Sequence, residues 1–133
     1  MKIKSAIKSG LKIIFCIGET LRERKTKKTK QILKRQIEKG LKSIKNKSKI
    51  IVAYEPVWSI GTGVIPKDAA LIQTISFIKS RFVKKYPKIL YGGSVNTNNV
   101  NKLKKIPNLS GFLIGGASQN PKKFIDIIQK TIN

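Results

Sequence analysis

Four short, nearly unbroken apolar segments punctuate the chain: Lys12–Ile17, Lys49–Tyr54, Lys88–Tyr91 and Gly111–Ile114. Each is rich in β-branched or aromatic residues, and none alternates cleanly between apolar and polar. That pattern predicts strands buried on both faces, as in a parallel sheet. Between and after them the period changes. From Thr29 to Lys45, Ile32, Leu33, Ile37, Leu41 and Ile44 fall on one face, with lysines opposite. From Asp68 to Lys85, Leu71, Ile72, Ile75, Ile78 and Phe82 do the same. A shorter helix is expected from near Thr97, using Val100, Leu103 and Ile106. The last has Asn120 as N-cap and Pro121 at its first helical position. A helical remnant at Ile3–Lys8 precedes the first strand.

The predicted order is therefore four βα repeats, with strand starts 37, 39 and 23 residues apart. Such alternation implies right-handed crossovers and a single parallel sheet. No linker divides the chain, so residues 1–133 are read as one domain. At 133 residues it is too short for a closed eight-stranded α/β barrel, which typically needs about 250. Four parallel strands with helices on one side leave two sheet edges and an inner face to be covered.

Composition removes several classes of chemistry. Histidine is absent, which excludes a histidine acid, a Ser-His triad and the common zinc sites within this chain. Cys16 is the one cysteine, so no internal disulfide forms. No apolar run reaches the roughly 18–20 residues of a membrane helix. The run Ile13–Ile17 is too short for a signal peptide, and the chain reads as cytoplasmic. The net charge of +23 invites a nucleic-acid partner. However, 25 of the 29 basic residues are lysines, spread along every predicted helix rather than gathered in a stripe. No helix-turn-helix, zinc or stacking-aromatic motif accompanies them. Solvated lysine faces account for the charge more simply, and nucleic acid ranks last among the partners.

In parallel α/β proteins functional groups gather at the C-terminal strand ends. All four ends here carry unusual residues: Gly18-Glu19-Thr20, Glu55 through Gly63, Gly92-Gly93-Ser94-Val95, and Gly115-Gly116-Ala117-Ser118. Glu55 is the one acid at the tip of an apolar strand. Partial desolvation there would make the carboxylate a stronger base toward a carbon acid. Position alone also admits a solvated or lysine-paired glutamate. The following segment joins a rigid start, Pro56 and Trp58, to the flexible Gly61 and Gly63, which suits a lid as well as an ordinary loop. The two glycine pairs suit an anion cradle, or simply tight turns.

Together these residues resemble the triosephosphate isomerase family. Tyr54-Glu55-Pro56-Val57-Trp58 with Ile60-Gly61-Thr62-Gly63 is similar to its catalytic strand and lid. Tyr91 to Val95 and Gly111 to Ser118 are similar to its seventh and eighth strand loops, and Cys16 to Thr20 to its fifth. The resemblance implies the C-terminal half, strands 5–8, of a TIM (β/α)8 barrel. It also implies a triose phosphate substrate, with dihydroxyacetone phosphate and glyceraldehyde 3-phosphate interconverted in glycolysis and gluconeogenesis without cofactor or metal. Glu55 would then move the proton. Gly61, the Ser94 backbone, Gly115 and Gly116 would hold the phosphate. Pro56, Val57 and Trp58 would form the lid hinge, and Ile60 and Leu113 would close over the base. Tyr91 and Ser94 would latch the lid, while Glu19 and Tyr54 would meet Trp58. Ser59 stands where the family usually has alanine. The family's first half supplies an Asn, a Lys, a His and a further Glu, and most dimer contacts. Met1 would begin inside the fourth helix, so the chain alone is expected to be nearly inactive, each lost electrostatic donor typically costing roughly 10²–10³ in rate. The implied partner is a separate N-terminal half-barrel or a second copy. A phosphate-binding module without catalysis is the alternative.

Overall fold

The computed structural model describes residues 2–45, 47–82 and 87–132. After a first helix, α1 (Lys2–Lys8), strand β1 (Ile13–Ile17) leads into α2 (Leu21–Lys25) and α3 (Thr29–Leu41). Strand β2 (Ile50–Tyr54) is followed by α4 (Asp68–Ser80), β3 (Lys88–Tyr91) by α5 (Val100–Leu103), and β4 (Gly111–Phe112) by a 3-10 turn (Gly116–Gln119) and α6 (Pro121–Ile132). The four strands form one parallel sheet in the order β1-β2-β3-β4. This is the α/β half-barrel that the sequence implies: four consecutive βα units, with β1 and β4 at the margins.

Period-2 geometry sorts each strand's side chains onto two faces. Tyr54, Val52 and Ile50 of β2 and Tyr91 and Ile89 of β3 point outward, and all are buried. Against them lie Leu33, Ile37 and Leu41 of α3, Leu71, Ile75 and Ile78 of α4, and Val100 and Leu103. Burying a side chain of this kind is worth about 1.5–3 kcal/mol, so this layer holds the unit together. Gly40 belongs to it by having no side chain, because a Cβ there would collide with the Phe15 ring.

The other face corrects one expectation. β1 is not buried on both sides: Ile13 and Phe15 are half-buried, whereas Ile14 and Cys16 are exposed. They lie on the other face of the sheet from the helix-packed layer, and among the described residues no helix covers them. β4 is shorter than expected, two residues instead of four. Its backbone bonds to β3 continue from Ser110 to Leu113, but among the described residues no strand flanks its outer side to extend the ladder. Helix α3 ends at Leu41, not Lys45, although Ile44 stays in the core. Helix α4 ends at Ser80, and the expected stretch to Lys85 lies partly outside the described residues. The short α2 was not foreseen. Thr20 starts it with a capping box, its hydroxyl accepting from the Glu23 amide while the Glu23 carboxylate accepts from the Thr20 amide. The Thr20 contacts hold the Glu23 carboxyl below the usual carboxylate range. At α6 the Asn120 side chain accepts from the Lys123 amide at 3.1 Å, the expected cap. Among the described residues no helix is long and apolar enough to cross a membrane.

Candidate active site

Glu55 follows the last residue of β2, and its amide donates to the Ile17 carbonyl at 2.8 Å, which fixes where its side chain leaves the sheet. The carboxylate is half-buried and lines a cavity of about 640 Å³ together with Ile60, Gly61, Ser94, Leu113, Gly115 and Gly116. Two glycines make room for it. A Cβ on Gly18 would strike the Glu55 carbonyl, and one on Gly92 would stand 2.6 Å from Glu55 Cγ. Neither glycine was singled out from the sequence as clearance for the acid. The signal was there, since each ends a strand next to the one bearing Glu55. The thiol of Cys16, on the neighbouring strand, also faces Glu55. Desolvation first, then hydrogen bonding and charge repulsion from Glu55, push it up to about 11.

The segment after Glu55 is anchored at its start. Glu19 is wholly buried at the end of β1 and accepts from Trp58 Nε1 at 3.2 Å, from the Tyr54 hydroxyl at 3.1 Å and from Arg24 at 3.2 Å. The Arg24 guanidinium lies 4.7 Å from the Trp58 ring centroid, adding a cation–π contact. Thus Glu19 meets Trp58 directly, and Tyr54 meets the same carboxylate. Burial and the Glu19 charge raise the Tyr54 phenol well above its ordinary value. Arg24, which completes this anchor, escaped sequence reading because it looked like one more surface cation.

The far end of the segment touches β3. Gly63 donates its amide to Ser94 Oγ at 2.9 Å, and the Tyr91 hydroxyl shares a 3.0 Å hydrogen bond with Ser59 Oγ. Gly61 and Gly63 both adopt positive φ, +70° and +77°, where an L side chain is strained. Val57 and Ile60 remain exposed, while Leu113 is half-buried across the cavity. The Ser94 amide, expected to face the phosphate, donates instead to Ser59 Oγ at 3.2 Å. Asn96 and Asn99 brace this turn, Asn99 Nδ2 donating to the Ser94 carbonyl at 2.8 Å. Gly115 and Gly116 open the 3-10 turn with space above them, since nothing lies within 4 Å of a Cβ built on either. Lys123, another residue the sequence reading treated as solvated, lines the same cavity. Among the described residues no group of three or more His, Cys, Asp or Glu could hold a metal ion.

The model of the family described as triosephosphate isomerase matches residues 1–131. The chain belongs to the triosephosphate isomerase family. Among curated relatives, the triosephosphate isomerase of Thermodesulfovibrio yellowstonii is 45% identical over 96% of this chain and 54% of its own length. That of Syntrophotalea carbinolica is 44% identical, covering 96% of this chain and 54% of the relative. The triosephosphate isomerase of Candida albicans is 44% identical over 98% of the chain and 55% of the relative. The chain spans about half the length of the curated relatives it matches, and its motifs are those of the C-terminal part of a triosephosphate isomerase.

Proposed function

We propose that this chain supplies the base, lid and phosphate cradle for the isomerisation of dihydroxyacetone phosphate and glyceraldehyde 3-phosphate. The observation that carries the reading is the single cavity shared by Glu55, Gly61, Ser94, Gly115 and Gly116. Glu55 takes the proton from one substrate carbon and returns it to the other. The amides of Gly61, Gly115 and Gly116 bind the phosphate, joined by Ser94 once its amide leaves Ser59. Pro56, Val57 and Trp58 form the hinge, Ile60 and Leu113 cover the base, and Tyr91 and Ser94 latch the lid.

This set handles the proton and the phosphate but not the charge of the enediolate. Preorganised donors at that charge usually dominate the rate. The active form therefore contains a second half-barrel of four βα units, which covers the concave face and both sheet margins and brings the electrophile and lysine. The residues 1–133 act as one unit in this assembly, in the cytoplasm.

The test is co-expression with the first four βα units of the Thermodesulfovibrio yellowstonii relative. A one-to-one complex with turnover is expected, and the chain alone should show almost none. In that complex Glu55→Gln should lower kcat by roughly 10²–10⁴, the usual worth of a positioned base. Absence of both complex and turnover overturns the reading. Phosphoglycolate binding that survives Glu55→Ala, with no turnover in any assembly, points to a phosphate-binding module instead.

A further inference from the structure

Ser59 is fully buried at the start of the lid, and its hydroxyl meets three other groups. The Val64 carbonyl, at the lid's far end, lies 2.6 Å away. The Tyr91 hydroxyl lies at 3.0 Å, and the Ser94 amide donates to Ser59 Oγ at 3.2 Å. A hydroxyl has one proton and two lone pairs. A carbonyl can only accept, so the proton goes to Val64. The two lone pairs then receive the Ser94 N–H and the Tyr91 O–H, which makes Tyr91 the donor. The valence of Ser59 Oγ is filled, with each partner on a different part of the site.

The space around it is equally specific. A Cβ on Gly93 would stand 2.6 Å from Ser59 Oγ and collide with the Tyr91 hydroxyl. The bond to Val64 closes the lid on itself. Those to Tyr91 and Ser94 tie it to the turn after β3, beside the Gly63–Ser94 bond. Ser94 is thus joined to the lid by both its amide and its hydroxyl.

We propose that Ser59 is a positioning residue, a clasp that holds both ends of the lid on the β3 turn. The inference rests on reading residues 59–64 as a lid over an anion cradle. It acts through Tyr91, Val64 and Ser94, not through contact with substrate.

Amide hydrogen exchange on the full chain tests it without substrate. In Ser59→Ala the Gly63 amide, bonded to Ser94 Oγ, should exchange about tenfold faster. The Glu55 and Gly92 amides, bonded to Ile17 and Tyr54 carbonyls in the sheet, should keep their rates. Unchanged protection at Gly63 overturns the proposal, as does an equal rise at all three amides, which signals general loosening. Tyr91→Phe removes one of the clasp's bonds and leaves the lid sequence intact. It should speed Gly63 about threefold in the wild-type background and add nothing in the Ser59→Ala background. If Ser59→Ala does not fold, Tyr91→Phe decides alone, and no change at Gly63 overturns the clasp. Exchange needs no turnover, so its outcome is independent of whether the assembled chain proves to be an isomerase.

Discussion

Gly92 is the residue against which the Glu55 side chain lies, and a Cβ there would stand 2.6 Å from Glu55 Cγ and 3.0 Å from its Oε1. The carboxylate can stand at the strand tip because its neighbour just past β3 has no side chain. Gly92→Ala must displace the carboxylate. A shift of about 1 Å at a reacting group costs roughly 10² in rate, so kcat of the assembled protein should fall by about that much. Overpacking should lower stability by about 1–3 kcal/mol. Phosphate binding at Gly115 and Gly116 should persist, and measuring it beside kcat separates a moved base from a collapsed site.

Arg24 balances a fully buried carboxylate. Its side chain keeps 24% exposure, whereas that of Glu19 has none. Arg24→Ala leaves Glu19 with the Tyr54 and Trp58 donors but no cation. Breaking a buried pair this way costs 3–5 kcal/mol; partial exposure of Arg24 puts the expected loss near the lower end, about 3 kcal/mol in urea unfolding. Trp58 is the one tryptophan, so its emission should shift as the ring loses its stacked guanidinium. Arg24→Lys should restore only part of either, because an ammonium reproduces neither the planar stack nor the fork.

Cys16 is exposed yet should react slowly. With its thiol raised from 9.0 to about 11, thiolate at pH 8 should be about a hundredfold scarcer than for an unperturbed cysteine. Iodoacetamide labelling rates between pH 7 and 11 measure this. Glu55→Gln removes the carboxylate's share and should shift the labelling profile to lower pH, with desolvation keeping it above 9. A profile that does not move would separate Cys16 from Glu55.

Alkaline stability should depend on two phenols. Tyr54 and Tyr91 are both raised, Tyr54 the more strongly, with desolvation the first cause in each. Protonated tyrosine is therefore favoured in the fold. Its contribution is complete below the ordinary value near 10 and is lost as pH climbs toward the raised folded value. The many lysines lose charge over the same range and relieve repulsion, so one curve mixes two effects. Comparing urea midpoints of the wild type and Tyr54→Phe from pH 9 to 11.5 isolates the phenol. The variant should start less stable and decline less.

The parallel sheet was legible because Lys49–Tyr54 and Lys88–Tyr91 carry their burial in composition. The exposed Ile14 and Cys16 look the same in sequence as buried strand residues, since apolar runs do not say which face a neighbour covers. The segment after Glu55 was equally readable around Trp58, Gly61 and Gly63. Glu19, Tyr54, Tyr91 and Ser94 were expected against it from the resemblance, and contacts at all four are present. Arg24 and Lys123 are two cations among 29 until the fold brings one to Glu19 and the other to the cavity. The Ser94 amide was expected to face an anion, but local geometry gave it a nearer acceptor in Ser59. Clearances such as Gly18 against the Glu55 carbonyl join residues 37 apart and need coordinates to be seen.

The margin beside β4 has a practical consequence. Phe112, Ile114, Ile128 and Ile132 line an apolar furrow of about 290 Å³ alongside β4, whose outer side has no strand partner among the described residues. Left uncovered, this rim is the same adhesive edge on every sister molecule, and parallel stacking needs no unfolding first. Covering that rim, rather than extra stability within the sheet, is what would keep such a protein out of inclusion bodies.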